Sequence, residues 1–521
     1  MRDSGARLPG GGADLGDHPE EAAKAAPAAG GGTKSVTGPA GPEAIGDLAG
    51  PAGPPAIGDL AIVLHSHMPY VEGFGTYPFG EEWLFDAIIR SYLPVLEVAE
   101  QLTMTVTPVL ADQLEDAGAA ERLRRFLAEW RIGAAEADME QVPAECRDAC
   151  EAELGRYRHA LELLDAVGGD PLRPFQDAVE EGRIALATSA ATHAVLPLLA
   201  TRAGLRLQLD AGIRSHRRRF GWDGGFWLPE CAYQPGMERR LAEHGVRWFC
   251  VDQSAHLADP LEALTPVATG AGPVALPIDW GAIQWLWSLG GYPSDPAHAQ
   301  FAGKSLRGVR IWKVGGGAYD PAAADAAVRR QADEFLTVVA ARLRDFAAAH
   351  GRRGLLVFAI DTELLGHWWS EGAIWLREVL AGATGAGVRL LTVPQALAEH
   401  EAIERPLLAS TWGEEKDLRT WDSPEVADLA WGARRLELRL LRSLAQGLRG
   451  SDAKRAAREL LAAQASDWAF LDKRGQAGDY AYQRATDHAK AMLEAIDSGA
   501  GSDPSMRALA PDMSLAPLLE P

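Results

Sequence analysis

Seven short apolar runs, each followed directly by polar residues, constrain the fold of this chain more than any other feature. The runs are four to seven residues long, as buried parallel strands are, and stretches of helical period such as Asp325 to His350 separate several of them. They lie at Leu60–Leu64, Met104–Leu110, Arg183–Ala187, Gly225–Leu228, Arg247–Val251, Gly354–Ile360 and Gly387–Leu391. Alternating strands and helices predict an α/β fold, either a β/α barrel or an open parallel sheet.

Two missing motifs favour the barrel. No Gly-x-Gly-x-x-Gly follows the first run and the chain contains no Walker loop, so dinucleotide and nucleotide binding lose their main support. We therefore predict a seven-stranded (β/α) barrel, an incomplete TIM-like barrel, over residues 58–400.

Two segments interrupt the barrel pattern. Residues of about 128–170 have the composition of helices outside the barrel wall, and those of about 264–320 are rich in Trp, Gly and Pro. The second segment includes Trp280, Trp285, Trp287 and Tyr292. A long loop of this composition is typical of a binding lid or wall. Its Trp-rich part is our candidate for excluding water from the functional site.

The ends of the chain differ from its middle. Residues 1–57 are rich in Gly, Ala and Pro and are expected to be disordered, because they cannot bury enough apolar surface to offset chain entropy. Residues 401–500 predict a helical C-terminal domain, and residues 501–521 a frayed tail.

The charge balance excludes several classes of partner. Lys and Arg number 51 against 72 Asp and Glu, a net charge of −21, which argues against nucleic acid and anionic membranes as partners. No run approaches 18 apolar residues and the N-terminus lacks an apolar signal region, so a cytoplasmic protein is expected. Four cysteines are too few for a disulfide scaffold, and no second pair accompanies Cys146 and Cys150 at zinc-ligand spacing.

Two carboxylates follow predicted strands. Glu230 comes after the run Gly225–Leu228 and Asp361 after the run Gly354–Ile360, so both belong at the same end of a barrel. Glycosidic-bond chemistry needs such a pair, one acid to attack the anomeric carbon or activate water and one to protonate the leaving oxygen. The alternative is that the two acids are unrelated members of ion pairs.

Histidine and tryptophan surround these acids in the sequence. His65, His67 and His193 also follow predicted strands, where they could contact sugar hydroxyls, bind a metal or serve the structure alone. Many of the 16 Trp residues lie beside the polar motifs, and flat aromatic faces suit stacking on sugar rings.

Five motifs in order resemble those of glycoside hydrolase family 57. They are His65-Ser-His-Met-Pro-Tyr70, Ala191-Thr-His-Ala-Val-Leu-Pro197, Trp227-Leu-Pro-Glu-Cys-Ala-Tyr233, Asp361-Thr-Glu-Leu-Leu-Gly-His-Trp-Trp369 and Thr411-Trp-Gly-Glu414. Within that family the chain resembles the 1,4-α-glucan branching enzymes, to which Ala463-Gln-Ala-Ser-Asp-Trp468 is similar as well. The resemblance, from about residue 60 to about 495, implies a seven-stranded β/α barrel with a small helical insertion and a helical C-terminal domain.

The resemblance also implies roles for individual residues. Glu230 would be the nucleophile that forms a glycosyl-enzyme intermediate, and Asp361 the general acid/base. The residues expected to contact substrate are His65, His67, His193, Trp227, Lys313, His367, Trp368, Trp412, Trp421, Asp467 and Trp468. Lys313 stands roughly where the family often has an Arg, and residues 293–320 look shorter than the family pattern. No metal or other cofactor is implied.

Other functions remain open at this stage. An α-1,4-glucan hydrolase or a 4-α-glucanotransferase of the same family would share the two acids, because only the acceptor differs. A metal-dependent carbohydrate deacetylase would use His65 and His67, with Asp361 as a further ligand, and a glucan-binding protein would have no turnover. In each reading the expected partner is a carbohydrate, for a branching enzyme an amylose-like or glycogen-like α-glucan, and the protein is a monomer or small homo-oligomer.

Overall fold

The computed structural model describes residues 56–76, 79–498 and 508–520, and Ala56–Pro521 form one compact unit. Residues 1–55 of the extension predicted to be disordered lie outside the described residues. The first strand begins directly after it, at Gly58, and the Ile57 N–H already donates to the Gly387 carbonyl at 2.8 Å.

Ten strands in the described part of the chain form one curled sheet. They are β1 Gly58–Ser66, β2 Leu102–Val106, β3 Ile184–Ser189, β4 Gly225–Trp227, β5 Trp248–Val251, β6 Val267–Ala268, β7 Val274–Pro277, β8 Leu355–Asp361, β9 Val388–Leu390 and β10 Ile403–Glu404. Seven of them are parallel neighbours in the order β7-β5-β4-β3-β2-β1-β8. The Asp279 N–H, just after β7, donates to the Val357 carbonyl of β8 at 2.8 Å, so the two outer strands of the seven meet. The predicted seven-stranded barrel is confirmed.

The strands of the barrel are not all those predicted. β7 was missed, because its four residues lie in the Trp-, Gly- and Pro-rich segment that was interpreted as a loop. The run predicted at Gly387–Leu391 forms β9, which pairs with only the first three residues of β1. The run Met104–Leu110 was placed too late, since β2 ends at Val106 and Pro108 begins a helix, where its fixed φ and missing N–H fit the first turn.

Eighteen α-helices lie in the described residues. They are α1 Glu81–Ala87, α2 Leu93–Val98, α3 Pro108–Leu114, α4 Ala117–Arg125, α5 Gly133–Met139, α6 Arg147–Ala166, α7 Arg173–Glu180, α8 Arg202–Phe220, α9 Met237–Glu243, α10 Trp280–Trp287, α11 Pro321–His350, α12 Gly372–Gly382, α13 Val393–Glu399, α14 Ala427–Ala445, α15 Gly450–Ala463, α16 Ser466–Lys473, α17 Tyr480–Asp497 and α18 Ala516–Leu519. None of these helices combines the length and the apolar character needed to cross a bilayer.

The described part of the C-terminal tail is packed, which corrects the expectation that residues 501–521 fray. Leu509, Met513 and Leu518 are buried in a cluster with side chains of α8, α14 and α15. The Ala510 N–H also donates to the buried Asp112 carboxylate at 2.7 Å. These apolar side chains bury enough surface to hold the segment in place, which its Pro- and Ser-rich composition concealed.

The C-terminal helices contact the barrel at the carboxyl end of β3. The Ser466 N–H, at the start of α16, donates to the His193 carbonyl at 3.2 Å, and Ala465 forms an antiparallel bridge with Ala194. The Thr192 hydroxyl donates to the Leu461 carbonyl of α15 at 2.5 Å. The start of α16 is therefore fixed at the end of the barrel where the polar residues lie.

Candidate active site

One cavity of about 650 Å³ lies at the carboxyl ends of the barrel strands. Asp361 is the last residue of β8 and pairs in register with His65 of β1, while Glu230 follows β4 and His193 follows β3. All four side chains line the cavity. Parallel strands bring the residues at their carboxyl ends to one face, so the pattern in the sequence becomes a single site.

Glu230 and His193 both adopt left-handed backbone conformations, with φ of 59° and 58°. Such angles are uncommon for residues other than glycine and are held only where the surrounding structure fixes them. At Glu230 the Trp412 N–H donates to the backbone carbonyl at 2.7 Å, and Tyr233 pairs with Ser410 in an antiparallel bridge. The segment around residues 410–412 thus holds the loop that carries the carboxyl.

A chain of hydrogen bonds connects the barrel to the Glu230 carboxylate. Ser466 Oγ donates to Glu230 Oε1 at 2.7 Å, and His193 Nδ1 lies 3.0 Å from the same hydroxyl. Because the one hydroxyl proton points at the carboxylate, His193 Nδ1 must carry the hydrogen of that second bond. His193 Nε2 then accepts from His65 Nε2, at 3.0 Å, and His65 Nδ1 accepts from the Thr105 hydroxyl, at 2.5 Å. One set of tautomers therefore satisfies all four bonds.

The imidazoles of His65 and His193, which form this chain of hydrogen bonds, are both neutral. Burial lowers the pKa of His65 well below its usual value, and the charge of the nearby His67 lowers it further. The pKa of His193 is lowered well below its usual value by burial and, to a lesser extent, by the nearby His67 and His65. Neutral rings are what the alternating donors and acceptors require, so the electrostatics and the hydrogen bonds agree.

A second pair of polar contacts lies beside this chain. His67 Nε2 donates to the Asp467 carboxylate at 3.0 Å, while His67 Nδ1 lies 3.0 Å from the Thr107 hydroxyl. The His67 backbone N–H donates to Glu363 Oε1 at 3.0 Å, and the Tyr92 hydroxyl donates to the same oxygen. Asp467 therefore fixes the His67 side chain, and Glu363 fixes the His67 backbone.

Burial raises the pKa of both candidate catalytic acids. The pKa of Glu230 rises to about 8, mainly through burial, although the Ser466 hydrogen bond lowers it and the charges of Asp467 and Asp361 raise it. The pKa of Asp361 rises to about 6 through burial, which the charge of His67 partly offsets. Among the described residues Asp361 has no hydrogen-bond partner for its carboxyl, which therefore faces the cavity free to exchange a proton.

Aromatic rings form much of the cavity wall. Trp227 stacks on His65 with ring centroids 4.6 Å apart, and Trp412 meets Trp227 edge to face at 4.9 Å. Trp368 is 50% exposed and packs beside Phe301 at 4.8 Å. Flat apolar surfaces next to carboxyls and imidazoles suit a ligand with both apolar faces and hydroxyl groups, as a sugar has.

The structure brings most of the predicted site residues together, but not all. The predicted residues that line the cavity are His65, His67, His193, Trp227, Glu230, Asp361, His367, Trp368, Trp412 and Asp467. Lys313, Trp421 and Trp468 do not line it. The Trp468 indole N–H donates to the Ala462 carbonyl at 2.8 Å, and Trp421 is buried among apolar side chains.

Arg310 lines the cavity in the segment where Lys313 was expected to do so. Its buried guanidinium donates to Ser370 Oγ at 2.6 Å and to the His367 carbonyl at 2.5 Å, so it orients the loop that carries His367 and Trp368. The Trp-rich stretch proposed to exclude water is also misplaced, because none of its residues from 280 to 292 lines this cavity. Sequence spacing alone does not reveal which face of a long insertion turns inward.

Sequence reasoning missed several residues of the site. Ser466 and Glu363 lie in the same motifs as Asp467 and Asp361. Their closeness to those two residues in the sequence was the signal that could have identified them. Lys304 and Phe301 lie in the segment that looked shortened, and Tyr92 follows no recognisable motif. These residues come from parts of the chain whose arrangement only the fold determines.

His67, His193 and Asp467 offer ligand atoms within 4.8 Å of one another, close enough to hold a metal ion. Each of those atoms, however, already takes part in a hydrogen bond. His193 binds His65 and Ser466 through its two ring nitrogens, and His67 Nε2 binds the Asp467 carboxylate. A metal would displace this network, so the residues fit hydrogen bonding better than metal ligation.

A barrel that carries two partly buried carboxyls beside stacked aromatic rings is the architecture of an enzyme that acts on glycosidic bonds. The family profile described as Glycosyl hydrolase family 57 matches residues 61–404. The chain belongs to glycosyl hydrolase family 57. A second profile, described as the C-terminal part of 1,4-alpha-glucan branching enzyme, matches residues 434–514.

Individual relatives agree with these profiles. The chain is 33% identical over 487 residues to the 1,4-alpha-glucan branching enzyme of Thermococcus kodakarensis, covering 82% of this chain and 72% of that protein. It is also 33% identical to a probable 1,4-alpha-glucan branching enzyme of Mycobacterium tuberculosis, covering 83% and 90%. The crystal structure of the Thermococcus enzyme matches with a TM-score of 0.81 at 29% identity, covering 89% of this chain and 96% of that one.

Proposed function

We propose that the protein is a 1,4-α-glucan branching enzyme, which cleaves an α-1,4 bond and transfers the released chain to a 6-hydroxyl of a glucan. The observation that carries this proposal is the pair Glu230 and Asp361 in one aromatic-walled cavity of a family 57 barrel. The match of the C-terminal helices to the branching-enzyme profile separates it from other activities of the family. An α-glucan is accordingly the substrate.

In the first half of the proposed reaction Glu230 attacks the anomeric carbon while Asp361 protonates the leaving 4-oxygen. The C1–O4 bond breaks as the bond from C1 to the Glu230 carboxylate forms. Ser466 donates to Glu230 and so positions the oxygen of the nucleophile. His65 and His193 position Ser466 in turn, and as neutral rings they add no charge to the site.

In the second half the acceptor decides the product. The 6-hydroxyl of another glucan gives its proton to the Asp361 carboxylate and its oxygen attacks C1, which releases Glu230. Branching requires that water be kept from the intermediate. We assign this role to apolar side chains in the cavity lining, which come from four parts of the chain: Trp83, Phe301, Trp368, and Phe470 with Leu471.

The proposal is tested on amylose. We expect the purified protein to introduce α-1,6 linkages with little rise in reducing ends before debranching, measured by linkage analysis and a reducing-sugar assay. New reducing ends without branches would instead identify a hydrolase, and redistribution of linear chain lengths a 4-α-glucanotransferase. Glu230→Gln protein from the same preparation is the control for contaminating activities.

The pH dependence follows from the two raised pKa values. The active form of the pair has Glu230 ionised and Asp361 protonated, and this singly protonated state is most populated at a pH between the two ionisations of the pair. We expect kcat/KM on amylose to rise with pH through about 6 and to fall through about 8. Below this window neither acid can attack, and above it neither can donate. A flat profile from about pH 5 to pH 9 would contradict the assignment.

We also infer a reducing compartment for the protein. All four cysteines are buried and unpaired, as is usual where thiols stay reduced, which supports a cytoplasmic location. The oligomeric state is a separate prediction, a monomer or a small homo-oligomer, and light scattering measures it.

A further inference from the structure

A second cavity, of about 550 Å³, lies between α10, the loop that follows it and α11. Its lining includes Trp285, Tyr292, Asp295, Arg330 and Glu334, and it shares no residue with the lining of the catalytic cavity. We call it the α10 groove. It lies in the Trp-rich segment that the sequence marked as a binding surface but that the catalytic cavity does not use.

The α10 groove presents an aromatic surface to solvent. Trp285 is 38% exposed, and its ring centroid lies 6.0 Å from that of Tyr292 at an interplanar angle of 41°. A large exposed indole beside a second ring is unusual on a surface without a ligand, because it leaves apolar area in water. The exposed ring of Trp285, packed beside Tyr292, provides a face on which a flat apolar group can stack.

The Tyr292 hydroxyl is a second, independent sign of a ligand. Tyr292 is only 6% exposed, and its hydroxyl has no hydrogen-bond partner among the described residues. A buried hydroxyl without a partner is costly, so native proteins rarely leave one unpaired. Glu334, which also lines the groove, is close enough that its charge helps burial to raise the pKa of Tyr292.

The polar lining indicates a neutral ligand rich in hydroxyl groups. Asp295 Oδ2 lies 3.0 Å from both Arg330 Nη2 and Gln331 Nε2, and Arg330 Nε lies 3.7 Å from Glu334. These contacts hold planar carboxylate, guanidinium and amide groups in fixed positions, as recognition of hydroxyls needs. Two acids against one Arg oppose an anionic ligand, and both carboxylates already pair with Arg330, which opposes a simple cation.

We propose that the α10 groove is a second binding site for α-glucan, which holds a chain of the polymer without cleaving it. The inference rests on the proposed function only for the identity of the glucan. Stacking on Trp285 supplies contact area, and a sugar hydroxyl supplies the partner that Tyr292 lacks. A polymer bound at the groove and at the catalytic cavity together is held more tightly than at either alone.

The test compares glucan binding by variants that cannot turn the substrate over. In the Glu230→Gln background, electrophoresis in native gels containing glycogen gives the dissociation constant. We expect Trp285→Ala to raise it at least about fivefold through lost avidity, and Tyr292→Phe about threefold through one lost hydrogen bond. Trp287→Ala is the matched control, since Trp287 is exposed on the same helix but does not line the groove.

Turnover separates this proposal from the function itself. In otherwise active protein, Trp285→Ala should leave kcat/KM for an aryl α-maltotrioside within about twofold of the parent, and lower kcat/KM for glycogen at least about fivefold. Equal dissociation constants for the parent and Trp285→Ala would overturn the groove proposal, and so would a dimer by light scattering that Trp285→Ala converts to monomer. A protein that binds glycogen through Trp285 but forms no branches would refute only the proposed function.

Discussion

Replacing Glu230 by Gln is expected to lower turnover of amylose by a factor on the order of 10³ or more, because the amide cannot form the covalent bond to C1. Glutamine has the shape of glutamate and can still accept the hydrogen bond from Ser466 Oγ, which is 2.7 Å from Glu230 Oε1. The fold, the left-handed backbone at residue 230 and glucan binding should therefore persist. Initial rates of branch formation and binding in glycogen gels measure the two properties separately.

A graded control accompanies that substitution. Ser466→Ala keeps the Glu230 carboxylate but removes its hydrogen-bond donor and leaves the His193 Nδ1–H without its partner. We expect kcat to fall about 10-fold to 100-fold, the worth of a hydrogen bond to a charged group, while KM changes little. If Glu230→Gln retains the activity of the parent, the nucleophile lies elsewhere.

Replacing Asp361 by Ala is expected to have an effect that depends on the leaving group. The leaving group of amylose is a poorly acidic sugar hydroxyl that needs a proton, so turnover of amylose should fall by a factor on the order of 10³. The dinitrophenolate of a dinitrophenyl α-maltotrioside leaves without protonation, so the rate of the first step with that substrate should fall only about tenfold. Asp361 faces the cavity with a raised pKa and no partner among the described residues, as a proton donor requires.

Azide provides the control for that result. The Asp361→Ala protein leaves room at the anomeric carbon for a small anion that needs no general base, so azide should speed turnover of the aryl substrate and give a glycosyl azide of retained configuration. The Glu230→Gln protein should show no such rescue at the same azide concentration. Equal losses on both substrates, with no azide product, would mean that Asp361 is not the acid/base. Mass spectrometry and nuclear magnetic resonance identify the product.

The sequence predicted the barrel because its signals are local. The short apolar runs just before His65, Glu230 and Asp361 each mark a strand and the polar residue that follows, so no long-range information is needed. β7 escaped because its four residues resemble the loop around them, and the packed C-terminal tail escaped because Leu509 and Leu518 stand among Pro and Ser. Both depend on what the rest of the fold places next to them.

The same distinction applies to the site. Residues at strand ends converge by topology alone, which is why ten of the thirteen predicted site residues line one cavity. Lys313 and Arg310 belong to an irregular segment, where only two residues lie between a side chain in the cavity wall and one outside it, and no period in the sequence tells them apart. The contact between Ser466 and Glu230 spans 236 residues and depends on the docking of α16 against β3.

That docking also determines when during its own synthesis the protein becomes an enzyme. The ribosome makes Glu230 and Asp361 long before Ser466 and Asp467, which complete the hydrogen bonds around Glu230 and His67. A nascent barrel that has both acids but not yet α16 lacks the donor that positions Glu230 and the part of the wall that Phe470 and Leu471 provide. Such a chain lacks both the positioned Glu230 and part of the wall, so the complete site forms only after α16 has been made.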